Sequence, residues 1–328
     1  MTDPPAAPAL LEKAVLAALA GTPLPTAATL AGLPVDAMMH ALDLYRAAGL
    51  AALTDHTTEY GSWVQVYVHP ASWPHAERDL AAHLGPYLRQ AENSGTVYAW
   101  WYVRKHPCWR IRLHSGPATT TEALREEVGR RLDALQREGV TTAWWPGIYE
   151  PETAALGGPF GIATAHALFH TDSRAVLIDA HRNWSALGRP ELSVLLCSHL
   201  LRAAGQEWSE QGDVWHRVAR MRPGPPDRPA AGDGLVEQIG HLLAADTAIL
   251  TAPGGRLEHT GTWACAFHTA GQTLATAARR GELTRGLRAV LAHLVIFHWN
   301  RLGIPTPTQA ALARAARDHI LGRPDDAP

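Results

Sequence analysis

Residues 109 to 114, WRIRLH, set Arg110, Arg112 and His114 at every second position. In a strand that spacing carries all three side chains to one face and Trp109, Ile111 and Leu113 to the other. Guanidinium forks meet carboxylate or phosphate groups with paired hydrogen bonds, and Arg104 and Lys105 in the adjoining turn extend the cationic patch. The same alternation also fits a solvated outer face. Glu150 and Glu152 of YEPE follow a strand segment and precede Gly157 and Gly158. As a pair they can orient an arginine or move a proton; a structural loop acid beside a solvated one is the plainer alternative. His298 and Arg301 of FHWNR are three apart and share a face on a helix, whereas His293, Phe297 and Asn300 lie on another. His166 and His170 are four apart, the spacing of a metal pair, but no third ligand accompanies them.

The elements that carry these residues follow from hydrophobic period. Residues 10 to 53 read as three short helices, each closed by glycine or proline, spaced like a helix-turn-helix. A recognition helix needs cationic or amide side chains, and the third segment offers only Arg46 against Asp36 and Asp43. DNA binding is therefore not expected, and residues 1–58 read as a helical docking or packing module. From residue 63 the period becomes 2. WVQVYVH, VYAWWYV, WRIRLH and TTAWWPGIY alternate as strands, with helical segments after the first and third. The order β-α-β-β-α-β predicts an α+β fold, a ferredoxin-like split βαβ antiparallel sheet over 59–156 with its helices on one face. Residues 157–328 are helical in period throughout, interrupted by a Pro/Gly-rich linker at 222–234, and 59–328 read as one unit. ELSVLLCSHLLRAAGQEWSEQGDVWHRVARM reads as one long helical run.

Composition bounds the function. At 328 residues and a net charge of -2, the chain gives no bulk attraction to nucleic acid or membrane. Three separated cysteines, Cys108, Cys197 and Cys265, form no disulfide framework or cysteine-rich zinc site, which fits a cytoplasmic protein. The sequence carries no phosphate-binding, dinucleotide, zinc-protease or nucleophile-elbow motif, so neither cofactor nor metal is expected. Only Lys13 and Lys105 are lysines, so genomic composition contributes to the preference for arginine.

AWWYVRKHPCWRIRL, WWPGIYEPETAALGGPFGIATAHALFHTDSR, ELSVLLCSHLLRAAGQEWSEQGDVWHRVA and LAHLVIFHWNRLG, spread over residues 60 to 320, resemble the thiopeptide-type bacteriocin biosynthesis family. That family is similar to the C-terminal elimination domain of class I lantibiotic dehydratases. The resemblance implies maturation of a ribosomally made, leader-bearing precursor peptide. One branch removes glutamate from glutamylated Ser or Thr to leave dehydroamino acids, and the other joins two dehydroalanines into a six-membered ring by aza-[4+2] cycloaddition. Elimination needs a base for the α-proton and a grip on the departing glutamate. Arg110 and Arg112 match the family's strand arginines, His298, Glu150 and Glu152 are the candidates for proton transfer, and Arg104, Arg301 and Asn300 complete the substrate-binding set. The pattern departs at Ala155, where dehydratases usually carry arginine, and at Ile296, where the eliminase histidine usually sits. Those departures keep cycloaddition, or non-catalytic precursor binding, as alternatives. The implied partners are the precursor peptide and its leader; a separate glutamyl-transferring dehydratase subunit and a homodimer stay open.

Overall fold

The computed structural model describes residues 8–46, 62–177, 187–224 and 232–323, in two compact units, Met1–Ser62 and Trp63–Pro328. In the first, α1 (Pro8–Leu19), α2 (Leu24–Ala31) and a third helix, α3 (35–46), bury Ala14, Val15, Ala27, Ala28, Met38 and Leu42. Residues 47–53, the end of the third expected segment, lie outside the described residues.

The second unit opens with β1 (Trp63–Pro70), α4 (Ala76–Asn93), β2 (Val97–Lys105), β3 (Cys108–Ser115), α5 (Thr121–Arg137) and β4 (Thr141–Gly147), the expected order. They form one antiparallel sheet in the order β2-β3-β1-β4. The register sets the faces. Val64, Val66 and Val68 of β1 pair with Leu113, Ile111 and Trp109 of β3, and this layer buries Leu80, Leu84 and Leu88 of α4 with Leu124, Val128 and Leu132 of α5. Burial of a residue of this kind stabilises by about 1.5 to 3 kcal/mol, so the layer firmly anchors the strands that carry the polar face.

Helices occupy the rest: α6 (Pro159–Leu177), α7 (Arg189–Ala203), α8 (Trp208–Met221), α9 (Asp233–Ala244), α10 (Thr247–Thr251), α11 (Gly261–Arg279), α12 (Leu287–Leu302) and α13 (Thr306–Leu321). The long run expected from Glu191 to Met221 is two helices, because the chain turns through Gly205 at φ 71° and restarts on a capping box between Glu207 and Glu210. Of the expected linker, residues 225–231 lie outside the described residues and Asp233 already begins α9. The end of the expected helix at 162–182 is likewise undescribed beyond Leu177.

One expectation fails. The sheet does not leave its second face open along its whole width, because α6 and α12 pack against β2. β2 is an edge strand, and an unpaired edge invites further strands. Here the Trp100 N–H donates to His170 Nδ1 at 3.1 Å, the Tyr102 N–H to Ser173 Oγ at 3.2 Å, and Arg301 Nε donates to the Tyr102 carbonyl at 3.2 Å. Side chains of α6 and α12 thus take the place of a fifth strand. Glu92 of α4 locks the same seam, accepting from Trp100 Nε1 at 2.8 Å and from Arg174 Nη1 at 2.9 Å.

Candidate active site

Arg110, Arg112 and His114 share a sheet face with Trp63, Gln65 and Tyr67 of β1, Trp101 of β2 and Trp145 of β4, as the pairs Tyr67↔Arg110, Gln65↔Arg112, Trp101↔Arg112 and Tyr67↔Trp145 require. The face has two halves. Under α6 it is closed: Arg112 is 3% exposed, its Cζ 4.1 Å from the ring centre of Trp101 and 5.1 Å from that of Tyr149. A guanidinium held flat between two rings gains cation–π attraction, yet its Nε and Nη1 have no hydrogen-bond partner among the described residues. Burial pushes Arg112 down to about 10, while Tyr149 and Glu152 pull the other way, so it stays cationic at neutral pH. Glu152 stands in its field and carries a buried Oε2 that is also unpartnered.

Tyr149 and Glu152 lie on the loop leaving β4. The loop is fixed at its root by Gln65 Nε2, which donates to the Ile148 carbonyl at 2.9 Å. The Tyr149 hydroxyl meets His166 Nε2 of α6 at 2.6 Å. Burial, reinforced by His114 and Arg112, holds His166 down at about 4, so the ring is neutral near pH 7 and shares one hydrogen bond with the tyrosine hydroxyl. Trp63 closes the box, its ring centre 5.0, 5.2 and 4.8 Å from those of His114, Tyr149 and His166.

The other half is open. Arg110 Cζ stands 5.3 Å from the Tyr67 ring, and Tyr67 stacks on Trp145 at 5.5 Å and 8°. Trp145 is 44% exposed and Ile148, two residues before Glu150, is 86% exposed. Gly147 belongs to this row, since a Cβ there would overlap the Tyr67 ring.

Of the residues expected at the site, the structure brings Arg112 and Glu152 together, with Arg110 two residues along on the same face and Glu150 exposed at the loop. It does not bring the others there. Arg104 pairs with Trp109 in the hairpin register, so it points to the opposite face. There it stacks on Trp109 at 4.7 Å and joins Arg189 around Glu77; its guanidinium lies against Gly303, whose φ of 69° and missing side chain both suit the approach. Asn300 accepts from Gln309 Nε2 at 3.2 Å on the side facing α13.

His298 and Arg301 do share a helix face, but it is turned into the core. Both are at most 1% exposed and converge on Asp172 of α6. His298 Nδ1 lies 3.0 Å from each carboxylate oxygen, Arg301 Nη1 pairs with Oδ2, and Trp263 Nε1 donates to Oδ1 at 2.9 Å. Burial alone would raise the Asp172 pKa, but His298 and Arg301 hold it below the usual range. His298 Nε2 faces the rings of Phe267 and Trp263, not solvent.

Sequence reasoning missed Tyr149, Trp63, Trp101 and Asp172, and read His166 only as half of a metal pair. Two signals were available: Tyr149 adjoins YEPE, and Asp172 is an acid inside an apolar helix, which demands a buried cation. Among the described residues no group of three or more His, Cys, Asp or Glu is placed to hold a metal, the three cysteines are unpaired, and no helix is long and apolar enough to cross a membrane.

Comparison with known proteins places this arrangement. No curated protein matches the chain by sequence. Among solved structures, it resembles the tRNA-dependent lantibiotic dehydratase MibB from Microbispora sp. 107891, with a TM-score of 0.55 at 18% identity over 79% of this chain and 28% of that one. TsrL matches with a TM-score of 0.50 at 16% identity over 78% and 93% of the two chains. The pyridine synthase TbtD, from thiomuracin biosynthesis, matches with 0.50 at 13% over 79% and 97%. At such identities these likenesses speak for the fold, and the chain spans little more than a quarter of the dehydratase. The family model for the C-terminal part of lantibiotic biosynthesis dehydratases matches residues 63–320, the whole sheet unit with its helices, and the chain therefore belongs to that family.

Proposed function

We propose that the chain matures a leader-bearing, ribosomally made precursor peptide by eliminating glutamate from glutamylated serine or threonine. The order β2-β3-β1-β4 supports reading its sheet as a ferredoxin-like split βαβ. The observation that carries the reaction is Arg112, a buried cation with two unsatisfied N–H donors beside Glu152. A buried donor without a partner costs roughly 1 to 3 kcal/mol, which an arriving carboxylate recovers. In the proposed step Glu152 takes the α-proton of the glutamylated residue and the C–H electron pair forms the Cα=Cβ double bond. The Cβ–O bond breaks, and glutamate leaves as a carboxylate held by Arg112. Arg110, Tyr67 and Trp145 carry the flanking peptide. His298 and Arg301 support the fold in this reading, not the chemistry. The substrate comes from a separate glutamyl-transferring subunit in the cytoplasm.

Mass spectrometry of a synthetic glutamylated precursor tests this. A loss of glutamate is expected with wild type, with rates falling in the order wild type, Arg112→Lys, Arg112→Gln. A charge-assisted hydrogen bond contributes roughly 1.5 to 3 kcal/mol, so the fall is on the order of tenfold to a hundredfold. Equal rates in all three would overturn the assignment. Ala155 and Ile296, in places where eliminases usually carry arginine and histidine, favour cycloaddition as the second reading. In that case wild type leaves the glutamyl ester intact and converts a peptide bearing two dehydroalanines. A protein that binds both peptides and changes neither is a precursor-binding partner.

A further inference from the structure

A guanidinium with open donors is useful only if its plane is fixed, because two parallel hydrogen bonds to a carboxylate demand one orientation. The two walls of the Arg112 slot are held very differently. Trp101 is fully buried in a strand and packed on Phe169 at 4.8 Å. Tyr149 stands on a loop beyond the end of β4, outside the strand pairing that fixes Trp101. Its hydroxyl is tied to α6 through His166 at 2.6 Å, and His166 is itself boxed by Trp63 at 4.8 Å and Trp101 at 6.0 Å.

We infer that His166 is a positioning residue for Arg112, acting through Tyr149: it holds the Tyr149 ring as the second wall of the slot and so keeps the buried, unpartnered N–H groups of Arg112 in the one orientation that meets an incoming carboxylate. The inference rests on the reading of Arg112 as a carboxylate grip and adds the residues that make the grip selective. The short contact supports it, since a neutral imidazole protonated at Nδ1 offers Nε2 as an acceptor to the phenol at 2.6 Å. Neither Tyr149 nor His166 has to touch the peptide for this to work. Without the tether the ring keeps its packing on Trp63 and Trp101 but loses the anchor that fixes its angle, and that face of the guanidinium slot loosens while Trp101 stays in place.

The test uses the full chain and two synthetic peptides that differ only in whether one serine carries glutamate, with affinities measured by calorimetry. The quantity of interest is the ratio of the two affinities. Wild type should favour the glutamylated peptide, and Arg112→Gln should abolish the preference. Tyr149→Phe and His166→Leu should each cut the ratio about tenfold, the scale of one charge-assisted hydrogen bond, while leaving affinity for the unmodified peptide near wild type. His166→Gln, whose amide oxygen can accept the phenol, should restore most of the ratio. The double variant should be no worse than either single one, because both changes cut the same tether. Should His166→Leu fail to fold, Tyr149→Phe, which removes one oxygen, carries the test. If Tyr149→Phe keeps the wild-type ratio while Arg112→Gln loses it, the positioning inference is wrong and the grip stands. A loss of affinity for both peptides alike would make the tether a loop fastener only. If Arg112→Gln keeps the ratio, the grip itself is refuted and the inference falls with it.

Discussion

Asp172→Ala is the perturbation with the largest expected effect. The side chain is fully buried and accepts from His298, Arg301 and Trp263. Its removal strands a guanidinium that is itself 0% exposed. Breaking a buried pair by deleting one partner costs roughly 3 to 5 kcal/mol, most of it the uncompensated charge left behind. In a unit of this size each kcal/mol shifts the unfolding midpoint by about 2 to 4 °C, so a fall of roughly 10 °C is expected. All twelve tryptophans lie at or beyond Trp63, so indole fluorescence during urea unfolding reports the second unit alone. Asp213→Ala is the control: Asp213 pairs with Arg217 at 3.0 Å and Arg288 at 3.3 Å, but both arginines are nearly half exposed, and such pairs contribute about 0 to 1 kcal/mol. The pH dependence has a sign. Since Asp172 is held below its unfolded value of about 3.9, its contribution is complete above that pH and is lost as pH falls through the folded value. The difference between wild type and Asp172→Asn should therefore shrink below about pH 4. A loss under about 1 kcal/mol for Asp172→Ala, at unchanged denaturant slope, would refute the reasoning. An Asp172→Asn protein of wild-type stability but without turnover would return His298 to the chemistry.

Three further outcomes are expected. Ser173→Ala leaves the Tyr102 N–H without its acceptor in a buried seam and should cost roughly 1 to 3 kcal/mol in the same urea assay. Trp145→Ala removes a ring that is 44% exposed, so stability should hold while precursor affinity, followed by fluorescence anisotropy of a labelled peptide, falls several-fold; unchanged affinity would take the open half of the face out of peptide binding. Deleting residues 1–55 should weaken binding of the leader or of a partner enzyme if the helical module docks either, and a folded truncation that binds both as before would make that module purely structural.

What the sequence showed and what it hid divide along a physical line. The alternation in WRIRLH correctly separated Arg110, Arg112 and His114 from Trp109, Ile111 and Leu113, because strand period is local geometry. Arg104 was grouped with the wrong face because its side depends on hairpin register, and the pairing Arg104↔Trp109, through the turn at His106 and Pro107, is not a matter of spacing alone. The covering of the second face was less visible still, since which layer a helix joins is a tertiary event. A trace of it was present, however. LAHLVIFHWNRL is apolar over most of its circumference, the mark of a helix buried on more than one side, whereas α6, which packs against both β2 and α11, carries the polar run HTDSR that hid its burial.

The same two residue types, arginine and acid, occur at both ends of that layer with opposite outcomes. Asp172 is saturated: three donors reach its two oxygens, although His298 Nε2 and Arg301 Nη2 around it stay buried and unmet. The Glu152 charge acts on Arg112, yet Nε and Nη1 of the arginine and Oε2 of the acid stay unmet. A folded chain normally pairs its buried polar atoms, and an exception is tolerated where function requires it. Helix spacing set His298 and Arg301 beside Arg110 and Arg112 among the candidates, because nothing in the sequence reveals a partner 126 residues away. Among the unmet donors of the described residues, Nε and Nη1 of Arg112 are the cationic ones on the polar sheet face, where strand alternation had already set an arginine.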